Sequence, residues 1–357
     1  MKPIINVQFL RAVAALSVMF YHFSLQYQAI HTGEMNGFYG LFNLIGYAGV
    51  DFFFVISGYI MWITTSRSSK QASVLSFAYK RLSRIYLGYW PYFLLALIIL
   101  YFYPYLKPEH ANMWGSFFLT EPKTTHLLIQ VAWTLQYELY FYGLFGFIML
   151  LPKKHKLTTV WAMIAVIVIY QLITRLAITT MDQPFTVAEF LFSPYCLEFF
   201  AGCLLGRFFQ AKRLNFLWPL VLGFALLAFA VYFQQHVIKQ SLITHDFVIL
   251  RVCIFGLAAT FLTATLIELE KRGQVLMQYF SLILGGASYS IYLSHTIVIA
   301  LTMALGWQSW VQNNSQSPGI WVGLFMLMTV IYSVIHYLVV EKPLMHFSNK
   351  LKQRLFH

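Results

Sequence analysis

Stretches of about twenty apolar residues recur from one end of this 357-residue chain to the other, and each is long enough to cross a hydrocarbon core about 30 Å thick. A closed barrel would instead show segments of about ten residues alternating in hydrophobicity; the runs here are continuous and rich in Leu, Ile, Phe and Ala, which dismisses it. The chain is 59% hydrophobic and 10% charged, where a soluble domain carries about 25% charged residues. The expected fold class is therefore all-α integral membrane: one polytopic domain over 1–357, with no separate soluble domain, repeat or low-complexity tract.

Ten spans are expected, near 7–27, 45–65, 89–106, 127–150, 157–178, 187–208, 214–235, 246–267, 281–306 and 318–340. The first is no cleavable signal, because Arg11 lies inside it and no small-residue cleavage site ends it. Lys and Arg accumulate in cytoplasmic loops. With the amino terminus inside, the cytoplasmic set holds 18 of the 24 cations: Lys2, Arg67, Lys70, Lys80, Arg81, Arg84, Lys153, Lys154, Lys156, Arg207, Lys212, Arg213, Lys271, Arg272, Lys342, Lys350, Lys352 and Arg354. The opposite loops hold Lys107, Lys123 and Lys239, while Arg11, Arg175 and Arg251 lie within spans. Both termini are expected in the cytoplasm. The net charge of +12 is thus topological, and membrane lipid rather than nucleic acid is its expected partner. Cys196, Cys203 and Cys253 all fall within spans, lack the pattern of a disulfide framework and read as inert core residues.

An ionisable group within a span costs about 2.5 to 3.5 kcal/mol on insertion scales, so each one needs a reason. Arg11 and His22 are eleven residues apart on one helix, about 20° past three full turns, and share a face with about 16 Å of rise between them. This suggests a groove with a cation at its mouth and a base inside, although a snorkelling arginine and a satisfied core histidine are the plainer alternatives. Asp51, in Gly49-Val50-Asp51-Phe52-Phe53-Phe54-Val55-Ile56-Ser57-Gly58, is expected about 9 Å below the outer boundary, near the depth of His22. A carboxylate beside an imidazole fixes its tautomer and raises its basicity. Arg81 and Arg84, spaced i, i+3 ahead of the third span, form a pair of guanidinium forks suited to phosphates or to anionic lipid. Glu138 is expected near mid-bilayer behind Trp133 and several tyrosines, an aromatic wall suited to a sugar or a pantetheine arm but equally to packing. Glu198 is a second midplane acid, as ready to pair with a neighbouring span.

Together these residues resemble the acyltransferase 3 family of membrane O-acyltransferases, whose members decorate lipopolysaccharide O-antigen and exopolysaccharide. The marks, spread over nearly the whole chain, are Arg11 with His22, the Gly49–Gly58 segment, Arg81 and Arg84 before Ile85-Tyr86, and Trp133 with Glu138. Near the carboxyl end come Gly286-Ala287-Ser288-Tyr289-Ser290-Ile291-Tyr292-Leu293-Ser294-His295 and Val340-Glu341-Lys342-Pro343. Two departures are local: Leu87 and Gly88 replace a proline usual after the Ile-Tyr pair, and Thr134 stands where serine is common.

The resemblance implies acetyl-CoA as donor, and no metal is expected. It also implies Arg11 and His22 as the principal pair and Arg81 and Arg84 at the coenzyme; from their own positions Asp51 and Glu138 are expected to assist catalysis and Trp133 to help bind the donor. The expected function is O-acetylation of a lipid-linked or surface polysaccharide at the bacterial inner membrane, O-antigen preferred narrowly over exopolysaccharide. A small-molecule acceptor such as a macrolide is the alternative within enzymes. A proton-coupled transporter or flippase is the alternative outside them, and the chain lacks the internal symmetry common in transporters.

Overall fold

A computed structural model describes residues 4–31, 35, 37–66, 74–177, 186–208, 215–314 and 317–356. Lys2, Arg67, Lys70, Lys212 and Arg213 of the cytoplasmic cation set lie outside the described residues, and for Arg175 only the backbone is described. The described residues form helices and connecting turns, with no strand among them. The long helices are α1 (Ile5–Ile30), α2 (Gly49–Ser66), α3 (Val74–Phe102), α4 (Trp133–Leu150), α5 (Lys153–Ala177) and α6 (Tyr195–Phe208). They continue with α7 (Leu217–Tyr232), α8 (Leu257–Lys271), α9 (Gln278–Gly286), α10 (Ser288–Ala304), α11 (Pro318–His336) and α12 (Lys342–Phe356).

Among the described residues, eight helical segments are long and apolar enough to cross a membrane, or nine if α9 and α10, bent by 56°, make one span. The fourth expected span, 127–150, is not among them. Its helix is only α4, 18 residues long with Gln136 and Glu138 in the opening turns, and it is not one of the eight. The third span is longer than expected: α3 begins at Val74, so the basic stretch around Arg81 and Arg84 is helical and continuous with the apolar part.

The helices form two compact units. Unit 1 contains residues 1–50, 82–136 and 276–357; unit 2 contains 51–81 and 137–275. In unit 1, α1 is the central element, packed by α9, α10 and α11. Its buried Ala12, Ala14 and Ala15 keep α1 slim on more than one side, so neighbouring backbones come close without a hydrophobic driving force between helices. In unit 2, α7 packs on α8, and α6 on α5 and α8. The crossing of α2 with α6 depends on two glycines: a Cβ on Gly58 would overlap the Phe199 carbonyl, and one on Gly202 would overlap the Val55 carbonyl.

Candidate active site

Unit 1 holds a pair of histidines. His22 Nδ1 lies 2.9 Å from the Val18 carbonyl oxygen and 3.1 Å from His295 Nε2. His295 Nδ1 lies 3.1 Å from the Ile291 carbonyl oxygen, and His295 is fully buried. A carbonyl only accepts, so in the neutral pair both Nδ1 atoms carry the hydrogen. His295 Nε2 then offers its lone pair to the His22 Nδ1–H, and His22 Nε2 is left as a bare acceptor. No described residue hydrogen-bonds to that nitrogen, and His22 is half-buried rather than enclosed. The backbone causes this arrangement: each Nδ1 is held by the carbonyl four residues earlier on its own helix, which fixes both rings relative to their axes. Tyr292, one turn before His295, packs edge-on against it and is itself held by Thr134 Oγ1 at 3.0 Å.

Polar groups continue from this pair along α10 and α11. Ser294 and Ser333 share a 2.6 Å hydrogen bond, and Ser333 donates to the Thr329 carbonyl. One turn further, Ser290 donates to Glu341 Oε2 at 2.8 Å and lies 3.3 Å from His336 Nδ1, to which the Tyr92 hydroxyl also bonds. Arg11 and Arg84 both act electrostatically on Glu341 and Tyr337. Arg11, half-buried, also donates to Gln8 Oε1 at 3.3 Å, while Arg84 is exposed. Glu341 closes a π-helical segment, Tyr337–Glu341, of the kind that recurs at functional sites. The sequence of groups is thus two arginines and a carboxylate, then a serine and a histidine, then the His22–His295 pair. Gly88, one of the two residues in place of the family's proline, admits Tyr289 to this region: a Cβ there would stand 2.5 Å from Cε1 of that ring. Trp133 opens α4 half-buried in the same unit.

Unit 2 holds the other residues expected at the site. Asp51 is fully buried, and its carboxylate receives Arg251 Nη2 at 2.8 Å and Nε at 3.2 Å. Asp51, expected to orient His22, is engaged within its own unit by the Arg251 guanidinium, and His22 Nδ1 within its unit by a carbonyl and a second histidine. A buried guanidinium without a counter-ion would be strongly destabilising, so pairing is the dominant demand on Asp51. Arg251 also sits 5.1 Å above the Tyr195 ring. Glu198 adjoins this pair, and neither of its oxygens has a hydrogen-bond partner among the described residues. Glu138 accepts from Ser57 at 3.1 Å and from Tyr142 at 3.1 Å. Arg81 lies over the Tyr142 ring at 5.5 Å and within 3.5 Å of Thr64 Oγ1. Cys196 and Cys203 are buried free thiols, whereas Cys253 is exposed on its unit rather than a core residue. Among the described residues, no cluster of three or more His, Cys, Asp or Glu side chains is placed to hold a metal ion.

His295, Glu341 and His336 were not expected at the site, although the first two stand in the quoted motifs. The signal for His295 was present: an in-span histidine demands the same explanation as His22. Likewise Arg251 and Asp51 were each legible as in-span charges, but not as each other's partner.

The acyltransferase domain family model matches residues 4–338 of this chain. The exopolysaccharide production protein ExoZ of Rhizobium meliloti (strain 1021) is 30% identical over 300 residues, an alignment covering 77% of this chain and 83% of that protein. No solved structure matches. With the motifs in order along the chain, a helical apolar fold and a family match over nearly its whole length, this protein is a multi-pass membrane acyltransferase of the acyltransferase 3 family.

Proposed function

We propose that this enzyme moves an acetyl group from acetyl-CoA to a sugar hydroxyl of a cell-surface polysaccharide at the bacterial inner membrane. Exopolysaccharide is the preferred acceptor, moved ahead of O-antigen by the role named for the relative, with O-antigen next. The observation that carries the reading is the unoccupied Nε2 of His22, backed through Nδ1 by His295. The sugar oxygen attacks the thioester carbonyl carbon as His22 Nε2 takes its proton; the C–S bond then breaks and the departing thiolate recovers that proton. His295 Nε2 and the Val18 carbonyl hold the charge that forms on the imidazole, the part an aspartate plays in other triads. Arg11 and Arg84, joined by Arg81, receive the coenzyme's phosphates, since guanidinium forks match phosphate oxygens. Trp133 lies along its arm. In this reading α4 completes a set of ten spans with both termini in the cytoplasm, and the acceptor approaches from the periplasmic side.

The test is His22→Gln, whose amide replaces one hydrogen bond but accepts no proton. Acetyl transfer should fall by at least about a hundredfold, the lower range of general-base effects, with insertion and donor binding intact. Mass analysis of surface glycan is the readout, and acetylation by the variant above half the wild-type level overturns the assignment.

A further inference from the structure

In unit 2 a group of ionisable side chains lies where the first turns of α2 and α6 meet. The two helices run in the same direction, with Gly58 against the Phe199 carbonyl and Gly206 against Trp62, and this sets Asp51 beside Glu198. Asp51 is 0% exposed, and Glu198 and Arg251 are each 2% exposed. The Arg251 guanidinium directs both Nε and Nη2 at Asp51. No donor among the described residues, backbone N–H groups of the first turn included, reaches either oxygen of Glu198. What does stand within hydrogen-bonding reach of it is the Asp51 carboxyl group, itself an acceptor when ionised. Gly256 makes room for this acid: a Cβ there would stand 2.8 Å from Glu198 Oε1, and the glycine ends the π-helical segment Val252–Gly256 that directly follows Arg251.

Two carboxylates and one guanidinium leave one surplus negative charge, and a buried charge without its own partner is strongly unfavourable. Two ionised carboxyl groups side by side also repel, and neither has a hydrogen to offer the other. A single hydrogen between them removes both difficulties, because it cancels the surplus charge and turns one acceptor into a donor. Arg251 forks onto Asp51, so Asp51 is the ionised member and Glu198 carries the hydrogen. The other ionisable side chains that interact with Glu198 are Tyr195 and Cys196, and neither is a cation. A metal ion does not suit the position: the guanidinium already supplies the positive charge, and among the described residues no three His, Cys, Asp or Glu side chains converge.

We propose that Asp51 and Glu198 form a buried proton-binding site: the Glu198 carboxylic acid donates its hydrogen to the Asp51 carboxylate, and the cluster with Arg251 is electrically neutral. Either acid then serves as the counter-ion of Arg251 when the other is replaced by its amide. Infrared difference spectra of the purified full-length protein in detergent, wild type against variant, test this together with thermal unfolding. Glu198→Gln, whose amide keeps a donor towards Asp51, should remove the carbonyl-stretch band of a protonated carboxylic acid and leave thermal unfolding close to wild type. Asp51→Asn should remove the same band although Glu198 is still present, because Glu198 gives up its hydrogen and takes over the guanidinium. The double variant strands Arg251 without a counter-ion, and its loss of thermal stability should exceed the sum of the two single losses. Loss of a carboxylate band in Glu198→Gln, in place of the carbonyl band, shows an ionised Glu198 and overturns the site. A carbonyl band that persists in Asp51→Asn shows that Glu198 keeps its hydrogen independently of Asp51, which overturns the sharing. Failure of either single variant to fold overturns it too, since each leaves Arg251 one acid, and so do merely additive losses in the double variant.

Discussion

Replacing His295 tests whether the second histidine acts on the first. In the structure, His295 Nε2 accepts from His22 Nδ1 at 3.1 Å, and this bond strengthens when His22 takes a proton, because its donor becomes charged. Hydrogen bonds to charged groups contribute about 1.5 to 3 kcal/mol, a factor of about 10 to 150 in rate. The Val18 carbonyl, at 2.9 Å, still holds the same Nδ1–H after His295 is removed, which places the expected loss near the lower end, about 10- to 30-fold in kcat. His295→Leu, close in volume and without an acceptor, is the informative change, since His295→Ala adds a cavity in a fully buried site. His295→Gln restores an acceptor oxygen and should recover most of the loss. Initial rates of label transfer from acetyl-CoA in membrane vesicles, with donor KM measured in parallel, separate a slower proton transfer from weaker binding. The reasoning is refuted if His295→Leu retains a kcat within about twofold of wild type, or if His295→Gln is no faster than His295→Leu.

Changing both Arg81 and Arg84 to alanine should weaken donor binding, and changing both to lysine should restore it only in part, because an ammonium makes no bidentate fork; an unchanged Kd for acetyl-CoA in the double lysine variant defeats the phosphate role. Breaking the buried Asp51–Arg251 pair by Arg251→Met should destabilise the protein by about 3 to 5 kcal/mol, and adding Asp51→Asn should return much of it, as read from thermal unfolding in detergent; equal losses in the single and double variants would show that the pair is not the cause. Reporter fusions after residue 115 should read periplasmic and those after 75 and 350 cytoplasmic, and a cytoplasmic signal at 115 would reverse the early spans.

Apolar runs of bilayer length require helices whatever their neighbours do, so the all-helical membrane class was legible from the chain by itself. Span boundaries were legible where a long run ended, as for α1 and α7, and not where polarity crept into a helix. Gln136 and Glu138 set α4 apart from the other spans, and α3 runs through its basic stretch without a break. The Arg11–His22 spacing was likewise fixed by helical periodicity, a local property. Partners were not. Asp51 and Arg251 lie 200 residues apart, and His22 and His295 lie 273 apart. Nothing in local pattern says which in-span charge or imidazole meets which, because that depends on how glycine and alanine faces let helices approach. Equal depth suggested Asp51 for His22, but depth is one coordinate of three. Packing in two further dimensions gave Asp51 a guanidinium and His22 a second imidazole.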